Sequence, residues 1–352
     1  SRGLGDVYKR QMVDEATEDV GELAQEQTTF RTIHFDDWVL LFMKYGIGLA
    51  KVGGEDDTIH DMFRHVMVSN TVWPSEERKM ALHLCWIACA LYSRDAMRVF
   101  DIARWLPTTY QFHNEPLRLM ASLANSLGFY GVDAFVSATN TKQYQRRMRT
   151  HEAIVTGSTA RVNSRTGRWT IAGVGDEEEE EDEDESITPT HTQQLPTKSS
   201  PIGEMFYGYL MLCANSYQPA MGYLLRAFAL QPSDPLLCLL CSVACLSRAT
   251  NRQVDNRNHT IVQGLSILSN YAEIRGEGPE VDYNFGRAFQ QLGLVHLAVP
   301  RYERVLSYAK ENKIQSSGFS MTREAAFNLA LIYTSSGATT LARDLYRTWL
   351  VI

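Results

Sequence analysis

The sequence has no uninterrupted apolar run as long as the roughly 18 residues that a membrane-spanning helix needs. Its longest apolar stretch, residues 235–246, falls well short of that length. Nucleotide-binding motifs are also lacking. No Gly-Lys-Ser/Thr element exists, and Gly46 and Gly48 have neither the third glycine nor the preceding strand of a dinucleotide fingerprint. We therefore predict a soluble protein that does not enter a membrane and that binds no nucleotide cofactor.

The side-chain patterns of catalytic and metal-binding sites are absent as well. The nine histidines are scattered; none forms a His-x-x-x-His pair or adjoins a Ser or Cys in a nucleophile motif. Cys238, Cys241 and Cys245 are spaced to share one helix face, but no His or Asp in that stretch completes a tetrahedral metal site. We interpret them, together with Cys85 and Cys89, as small buried packing residues. The prediction is a protein that is not an enzyme and holds no cofactor or metal.

The net charge of −7 comes mainly from one segment. Residues 176–185 are ten consecutive acidic residues, and removing their charge from the total leaves +3. Ten adjacent carboxylates repel one another and bury nothing, so this segment cannot offset the entropy lost on ordering. We predict a disordered acidic linker over residues 156–200.

The regions before the linker differ in their helical character. Residues 1–29 are predicted to be unstructured, and residues 1–11 read as a terminal artefact unrelated to the fold. Over residues 30–155, apolar residues recur at three- and four-residue steps, which predicts three degenerate helical hairpins. A break at Gly53 ends the first helix, Ser75 is a predicted N-cap, and residues 116–127 and 132–149 form the third and weakest pair.

Residues 201–352 carry the clearest repeats. Small residues that mark the second helix of each hairpin are Ala220, Gly264, Ala298 and Ala342, at intervals of 44, 34 and 44 residues. The middle interval is the standard length of a tetratricopeptide repeat, and each longer interval contains a ten-residue extension. We place these extensions near residues 248–259 and 308–319. Asp234 is predicted to cap the helix that Pro235 begins.

Two of these repeats share a constant offset of 44 residues. Phe285, Gly286, Phe289, Gly293, Ala298 and Tyr302 correspond to Leu329, Ala330, Tyr333, Gly337, Ala342 and Tyr346. Independent helices would not keep one register over six positions. The predicted repeat-packing residues are Gly208, Ala220, Ala227, Pro232, Gly264, Gly286, Gly293, Ala298, Tyr302, Gly337, Ala342 and Tyr346. The predicted fold is an all-α, tetratricopeptide-type helical-repeat solenoid in two lobes joined by the acidic linker.

Two surfaces are candidates for binding. Lys142, Arg146, Arg147 and Arg149 form a basic cluster that could contact nucleic-acid phosphates, be a solvated helix end, or pair with the acidic run. The sequence leaves the contact with DNA open.

The other candidate is the concave surface of the repeats, where we predict that Asn284, Arg287 and Asn328 face a partner. Tetratricopeptide arrays that hold the carboxylate of a chaperone tail use Lys and Asn on their first helices. Here Tyr283 and Arg287, and likewise Phe327 and Leu331, occupy those positions. A carboxylate clamp is therefore not expected.

Three stretches of the repeat region resemble one protein family in more than their repeat spacing. They are residues 256–276, 280–302 and 346–352. The matching residues are Asn256-Arg257, Gln263-Gly264, Arg275-Gly276, Tyr283-Asn284, Gly286-Arg287 and Gln291-Leu292-Gly293-Leu294. The sequence resembles the C-terminal portion of the tetratricopeptide-repeat subunits of general transcription factor IIIC, which acts with RNA polymerase III. The similarity is strong over residues 203–352 and loose over residues 30–150.

This resemblance implies a non-catalytic scaffold in the nucleus. It would bind other transcription factor IIIC subunits, support promoter recognition and help to recruit initiation factor IIIB. The alternative is a generic tetratricopeptide adaptor of a chaperone or protein-turnover complex, with the same fold and different partners.

Overall fold

The structure is a computed structural model that describes residues 29–53, 56–69, 72, 75–158, 160–163, 168–171, 195–251, 254–312 and 321–350. The acidic run lies outside the described residues, and so do residues 1–28 of the segment 1–29 that was predicted to be unstructured, while Thr29 begins a strand. The chain divides into two compact units. Unit 1 comprises the residues up to Thr109 together with Leu119–Phe135, and unit 2 comprises Tyr110–Arg118 and the residues from Val136 onward.

Unit 1 begins with a short antiparallel hairpin and continues as helices. The elements are β1 (Thr29–Phe30), β2 (Ile33–His34), α1 (Phe35–Val52), α2 (Asp56–Met67), α3 (Glu76–Ser93), α4 (Ala96–Ala103), α5 (Trp105–Thr109), α6 (Glu115–Ser126, shared with unit 2) and α7 (Gly128–Phe135). The N-cap at Ser75 is confirmed, because its side chain accepts a hydrogen bond from the backbone nitrogen of Arg78. Gly53 ends α1 in the left-handed conformation that glycine favours.

The core of unit 1 forms where α1, α2 and α3 meet. Phe63 and Leu82 are fully buried there. A Cβ atom on Gly46 would lie 2.8 Å from the Phe63 ring, so the glycine permits α1 and α2 to approach closely.

The third hairpin differs from its prediction. Residues 132–149 were expected to form one helix, but the chain breaks between α7 and α8 (Ala138–Val155). Val136 and Ser137 leave the helix, and the Thr141 hydroxyl donates a hydrogen bond to the Val136 carbonyl at the break. A side chain thus supplies a partner that the helix would otherwise have provided.

Part of the predicted linker is ordered, which corrects the expectation for those residues. Strands β3 (Ala160–Val162) and β4 (Trp169–Ile171) pair antiparallel in unit 2 and pack against α8. The Gln111 side chain accepts from the Trp169 backbone nitrogen at 2.9 Å and donates to its carbonyl at 3.4 Å. This reciprocal pair fixes the hairpin to residues 110–118.

The rest of unit 2 consists of four successive helical hairpins. They are α9 (Pro201–Cys213) with α10 (Tyr217–Leu230), α11 (Pro235–Ala249) with α12 (Arg257–Arg275), α13 (Pro279–Gln291) with α14 (Val295–Asn312), and α15 (Thr322–Ser335) with α16 (Thr339–Leu345) and the π-helical turn Tyr346–Leu350. The predicted cap at Asp234 is confirmed by the hydrogen bond that its carboxylate accepts from the Leu237 backbone nitrogen at 3.1 Å. The all-α helical-repeat fold class is confirmed, while the predicted domain boundaries stay a prediction.

The helix bounds locate the two extensions. Buried small residues on the first helices are Gly208, Ser242, Gly286 and Ala330, at intervals of 34, 44 and 44 residues. Within a hairpin, the first-helix and second-helix markers are 12 residues apart, except for Ser242 and Gly264, which are 22 apart. The first extension therefore lies between these two residues, in the connection from α11 to α12 and the start of α12. The second falls in the connection from α14 to α15, of which residues 313–320 lie outside the described range.

Three glycines lie where first and second helices touch. A Cβ atom on Gly208 would lie 2.6 Å from Cγ of Leu224, and one on Gly286 would lie 2.7 Å from Cε1 of Tyr302. On Gly264 it would lie 3.0 Å from the Leu246 side chain. Any larger residue would push these helices apart.

Gly293 and Gly337 have a different role from the packing role predicted for them. Both have positive φ angles, 77° and 83°, and a Cβ atom on either would meet nothing within 4 Å. Each follows the end of a first helix, where the Gly293 nitrogen donates to the Gln290 carbonyl at 3.0 Å. These glycines therefore permit the turn between the first and second helix, and they do not lie at the contact between the two helices.

Candidate protein-interaction surface

The first helices of the four hairpins in unit 2 lie side by side. The Gln291 side chain on α13 donates a hydrogen bond to the Ser247 hydroxyl on α11 at 3.3 Å. Asn328 on α15 donates to the Tyr283 hydroxyl on α13 at 3.4 Å. Helix α9 contacts α11, and its Met205 and Leu212 pack against a core formed by buried residues of α10 and α11. These contacts align the helices so that equivalent positions form rows across the array.

Two such rows define a surface that we call the first-helix face. One row is Met205, Leu239, Tyr283 and Phe327, and the other is Tyr209, Val243, Arg287 and Leu331. Neighbouring members are separated by 34, 44 and 44 residues, the same intervals as the small first-helix residues. Every member is exposed or partly exposed.

The first-helix face is mostly apolar. Val243 is 41% exposed, Phe327 47% and Leu331 42%. Single exposed apolar residues are ordinary, but a row that repeats across neighbouring helices is typical of a protein-binding surface. In the sequence, the 44-residue offset predicts residues that pack between helices. The same offset also relates the exposed members of the first-helix face on α11, α13 and α15.

Arg287 is the charged member of the face and lies where the sequence predicted a partner-facing residue. It is exposed on α13 and close to Tyr302. Burial raises the pKa of the Tyr302 hydroxyl, and the positive charge of Arg287 opposes that rise. Within the described residues, no carboxylate forms an ion pair with Arg287.

The two asparagines predicted to face a partner are engaged inside the array. Asn284 is partly buried and donates to the Tyr271 hydroxyl at 3.0 Å. Asn328 is only 6% exposed and donates to Tyr283. The partner-facing prediction is therefore wrong for Asn328, because its amide links two first helices.

Two polar networks link α13 to the helices before and after it. Tyr271 is buried, and its hydroxyl donates to Glu280 at 2.9 Å; burial, reinforced by Glu280, raises the pKa of Tyr271 to about 12. Glu280 also accepts two hydrogen bonds from Arg275. The buried carboxylate of Asp282 pairs with a guanidinium nitrogen of Arg301 and of Arg304, each at 2.7 Å.

The remaining predicted packing residues occupy several environments. Ala220, Ala227, Ala298 and Tyr302 are fully buried, and Ala342 is almost so. Pro232 is exposed in the loop after α10, where its carbonyl accepts from the Cys238 thiol. Tyr346 begins the π-helical turn and is exposed. Ser242 was missed by sequence reasoning, although its spacing of 34 residues from Gly208 could have identified it.

The cysteines of α11 pack against other helices. Cys238, Cys241 and Cys245 are buried, and burial raises the pKa of the Cys241 thiol to about 12 and that of the Cys245 thiol to about 11. The Cys241 thiol donates to the Leu224 carbonyl of α10 at 3.4 Å. In the part of the chain that the structure describes, no cluster of His, Cys, Asp or Glu is arranged to hold a metal ion.

The basic cluster on α8 divides into two groups. Lys142, Arg146 and Arg149 are exposed along one stripe of the helix. Arg147 points inward, and its guanidinium donates to the His113 carbonyl. Burial lowers the pKa of Arg147 to about 10. Arg147 is therefore unsuited to the phosphate contact that the sequence left open.

Among the described helices, none combines the length and the apolar character that crossing a membrane requires. No protein-family model matches the chain.

Three characterised proteins are similar to the chain. Transcription factor tau subunit sfc4 of Schizosaccharomyces pombe is 30% identical over 341 residues, which cover 92% of this chain and 31% of that protein. The transcription factor tau 131 kDa subunit of Saccharomyces cerevisiae is 27% identical over 94% of this chain and 31% of its own length. Human general transcription factor 3C polypeptide 3 is 35% identical over 40% of this chain and 16% of its own length.

The chain is thus related to subunits of transcription factor IIIC. It spans about a third of the length of the two yeast relatives. The similarity to both covers nearly the whole chain and so extends beyond the repeats of unit 2, where the sequence resemblance was strongest.

Proposed function

We propose that this chain acts as a non-catalytic scaffold of the transcription factor IIIC complex, with the first-helix face of unit 2 as the surface that binds other subunits. The observation that carries this proposal is the two rows of mostly apolar, exposed or partly exposed residues at equivalent positions of neighbouring first helices. Helical-repeat arrays use the extended surface formed by such rows to bind partners. The relatives are transcription factor subunits, which supports a partner within the same complex.

The proposal includes a nuclear location and a supporting role in RNA polymerase III transcription. By holding subunits together, the chain would assist promoter recognition and the recruitment of initiation factor IIIB. These steps require binding surfaces and no chemistry. The networks around Asp282 and Glu280 support this role, because they link α13 to α12 and α14 and so favour a binding surface that is already formed before a partner arrives.

Affinity purification from a nuclear extract tests the proposal. The full chain, carrying a removable tag, should recover the other subunits of transcription factor IIIC in amounts that survive moderate salt. The tag alone is the control. Recovery of cytosolic chaperones without any other transcription factor IIIC subunit would contradict the proposed function and favour the adaptor alternative.

A further inference from the structure

The chemistry of the first-helix face restricts the kind of segment that can bind it. Seven of its eight members are apolar or aromatic, and Arg287 is the eighth. Arg287 lies between two apolar members of its row, because Val243 on α11 and Leu331 on α15 occupy the equivalent positions on either side. A single cation is therefore flanked by apolar side chains.

Three neighbouring arginines are paired with carboxylates, whereas Arg287, like the exposed Arg257 and Lys310, forms no ion pair within the described residues. Arg275 pairs with Glu280, and Arg301 and Arg304 both pair with Asp282. Arg287 has no carboxylate partner within the described residues and is exposed. Covering the apolar flanks with a bound segment would lower the local dielectric constant and strengthen an ion pair at this position.

We propose that the first-helix face binds an apolar segment of another transcription factor IIIC subunit, and that one Asp or Glu side chain in this segment pairs with Arg287. This inference rests on the proposed function and specifies the partner chemistry of the same surface. A free carboxy-terminus is not the ligand. The positions that would hold one carry Tyr283, Phe327 and Leu331, and Arg287 alone offers a charge.

The spacing of the face also restricts the segment. Packed helix axes are about 10 Å apart, and a polyproline II segment rises about 3.1 Å per residue with three residues per turn. A segment in this conformation that crosses α11, α13 and α15 therefore places apolar side chains about three residues before and after its acidic residue, on the same side of the segment. These would contact Val243 and Leu331.

The experiment uses an array of overlapping 15-residue peptides that cover the other transcription factor IIIC subunits. The full chain is the probe, and dissociation constants of bound peptides are then measured in solution. Bound peptides should contain one Asp or Glu with apolar residues about three positions to either side. Changing that acid to Lys, or introducing Arg287→Glu, should each weaken binding about tenfold or more.

Combining the two charge reversals should restore most of the lost affinity, because the ion pair is re-formed with its charges exchanged. Arg343→Glu is the matched control, since Arg343 is exposed on α16 and lies outside the face. This control should leave binding unchanged.

Three results would overturn the inference: no bound peptides, bound peptides without an acidic residue, or affinity that is insensitive to Arg287→Glu. The proposed function fails separately, if the unaltered chain does not recover other subunits from a nuclear extract. Recovery of those subunits by the Arg287→Glu variant at the unaltered level would contradict only the inference about Arg287.

Discussion

A Cβ atom on Gly286 would lie 2.7 Å from Cε1 of Tyr302, whose ring is completely buried between α13 and the last hairpin. The Tyr302 hydroxyl donates to Gln290 at 2.7 Å, which anchors the buried ring. The absence of a side chain at Gly286 therefore sets how closely α13 and α14 approach.

Gly286→Ala should lower the free energy of unfolding by about 1–3 kcal/mol, because the added methyl group overpacks this contact. Gly222→Ala on α10 is the matched control, since a Cβ atom there meets nothing within 4 Å. In an open helical site the same change should raise stability by about 0.5–1 kcal/mol. Urea unfolding of both variants checks the opposite signs, and equal changes would contradict the packing account.

Asp282 should contribute more to stability than an exposed acidic residue. Its carboxylate is buried and pairs with Arg301 and Arg304, both of which remain partly exposed. Asp282→Ala should lower the free energy of unfolding by about 1–3 kcal/mol, because hydrogen bonds to charged groups contribute about that much. Arg301→Ala should lower the free energy of unfolding by less than Asp282→Ala does, since Arg304 still pairs with the carboxylate.

Asp344→Ala on α16 is the control for the change at Asp282, because Asp344 is exposed. The comparison uses urea unfolding at low and high salt. If Asp282→Ala and Asp344→Ala lowered the free energy of unfolding by the same small amount, the predicted contribution of the Asp282 ion pairs would be wrong.

Unit 1 should lose stability as the solution is acidified below neutrality. The His83 ring stacks on Trp105 with ring centroids 3.9 Å apart, and its Nδ1 atom lies 3.0 Å from the Lys79 carbonyl. Burial, assisted by the charge of Lys79, lowers the pKa of His83 from 6.5 to about 4. The native imidazole therefore stays neutral at pH values where the unfolded chain binds a proton.

The resulting stability is fully present above pH 6.5 and is lost as the pH falls toward 4. The loss for this one group is about 3 kcal/mol. Burial also lowers the pKa of His60, which adds a smaller loss of the same sign. Unfolding of the full chain, followed by tryptophan fluorescence between pH 4 and 7, should show a shallower slope for His83→Phe. An unchanged slope would contradict the role assigned to His83.

Sequence periodicity was sufficient to predict the repeats of unit 2, because one small residue per helix keeps the register. It could not separate the roles of the glycines. Gly286 and Gly293 both match the repeat pattern, but only the backbone angles show that Gly293 makes a turn. Gly293→Leu should therefore lower the free energy of unfolding because leucine is strained at this positive φ angle. It should not overpack the helices, since a Cβ atom at Gly293 meets nothing within 4 Å.

The candidate surface was less accessible to sequence reasoning. The pattern placed Asn284 and Asn328 on the inner side of the helices, but hydrogen bonds to tyrosines of neighbouring helices depend on tertiary packing. The break before α8 depends similarly on a side-chain hydrogen bond from Thr141. Such contacts leave no periodic signal in a single sequence.

The first-helix face is tested most directly by disrupting its apolar row and measuring complex assembly. Phe327→Asp and Leu331→Asp introduce charge at exposed positions of α15, so both variants should fold normally. Leu341→Asp on α16 is the control, because Leu341 has a similar exposure of 50% outside the face. In affinity purification from a nuclear extract, both face variants should lose most of the other transcription factor IIIC subunits, while Leu341→Asp retains them. Full recovery of those subunits by the two face variants would contradict the account.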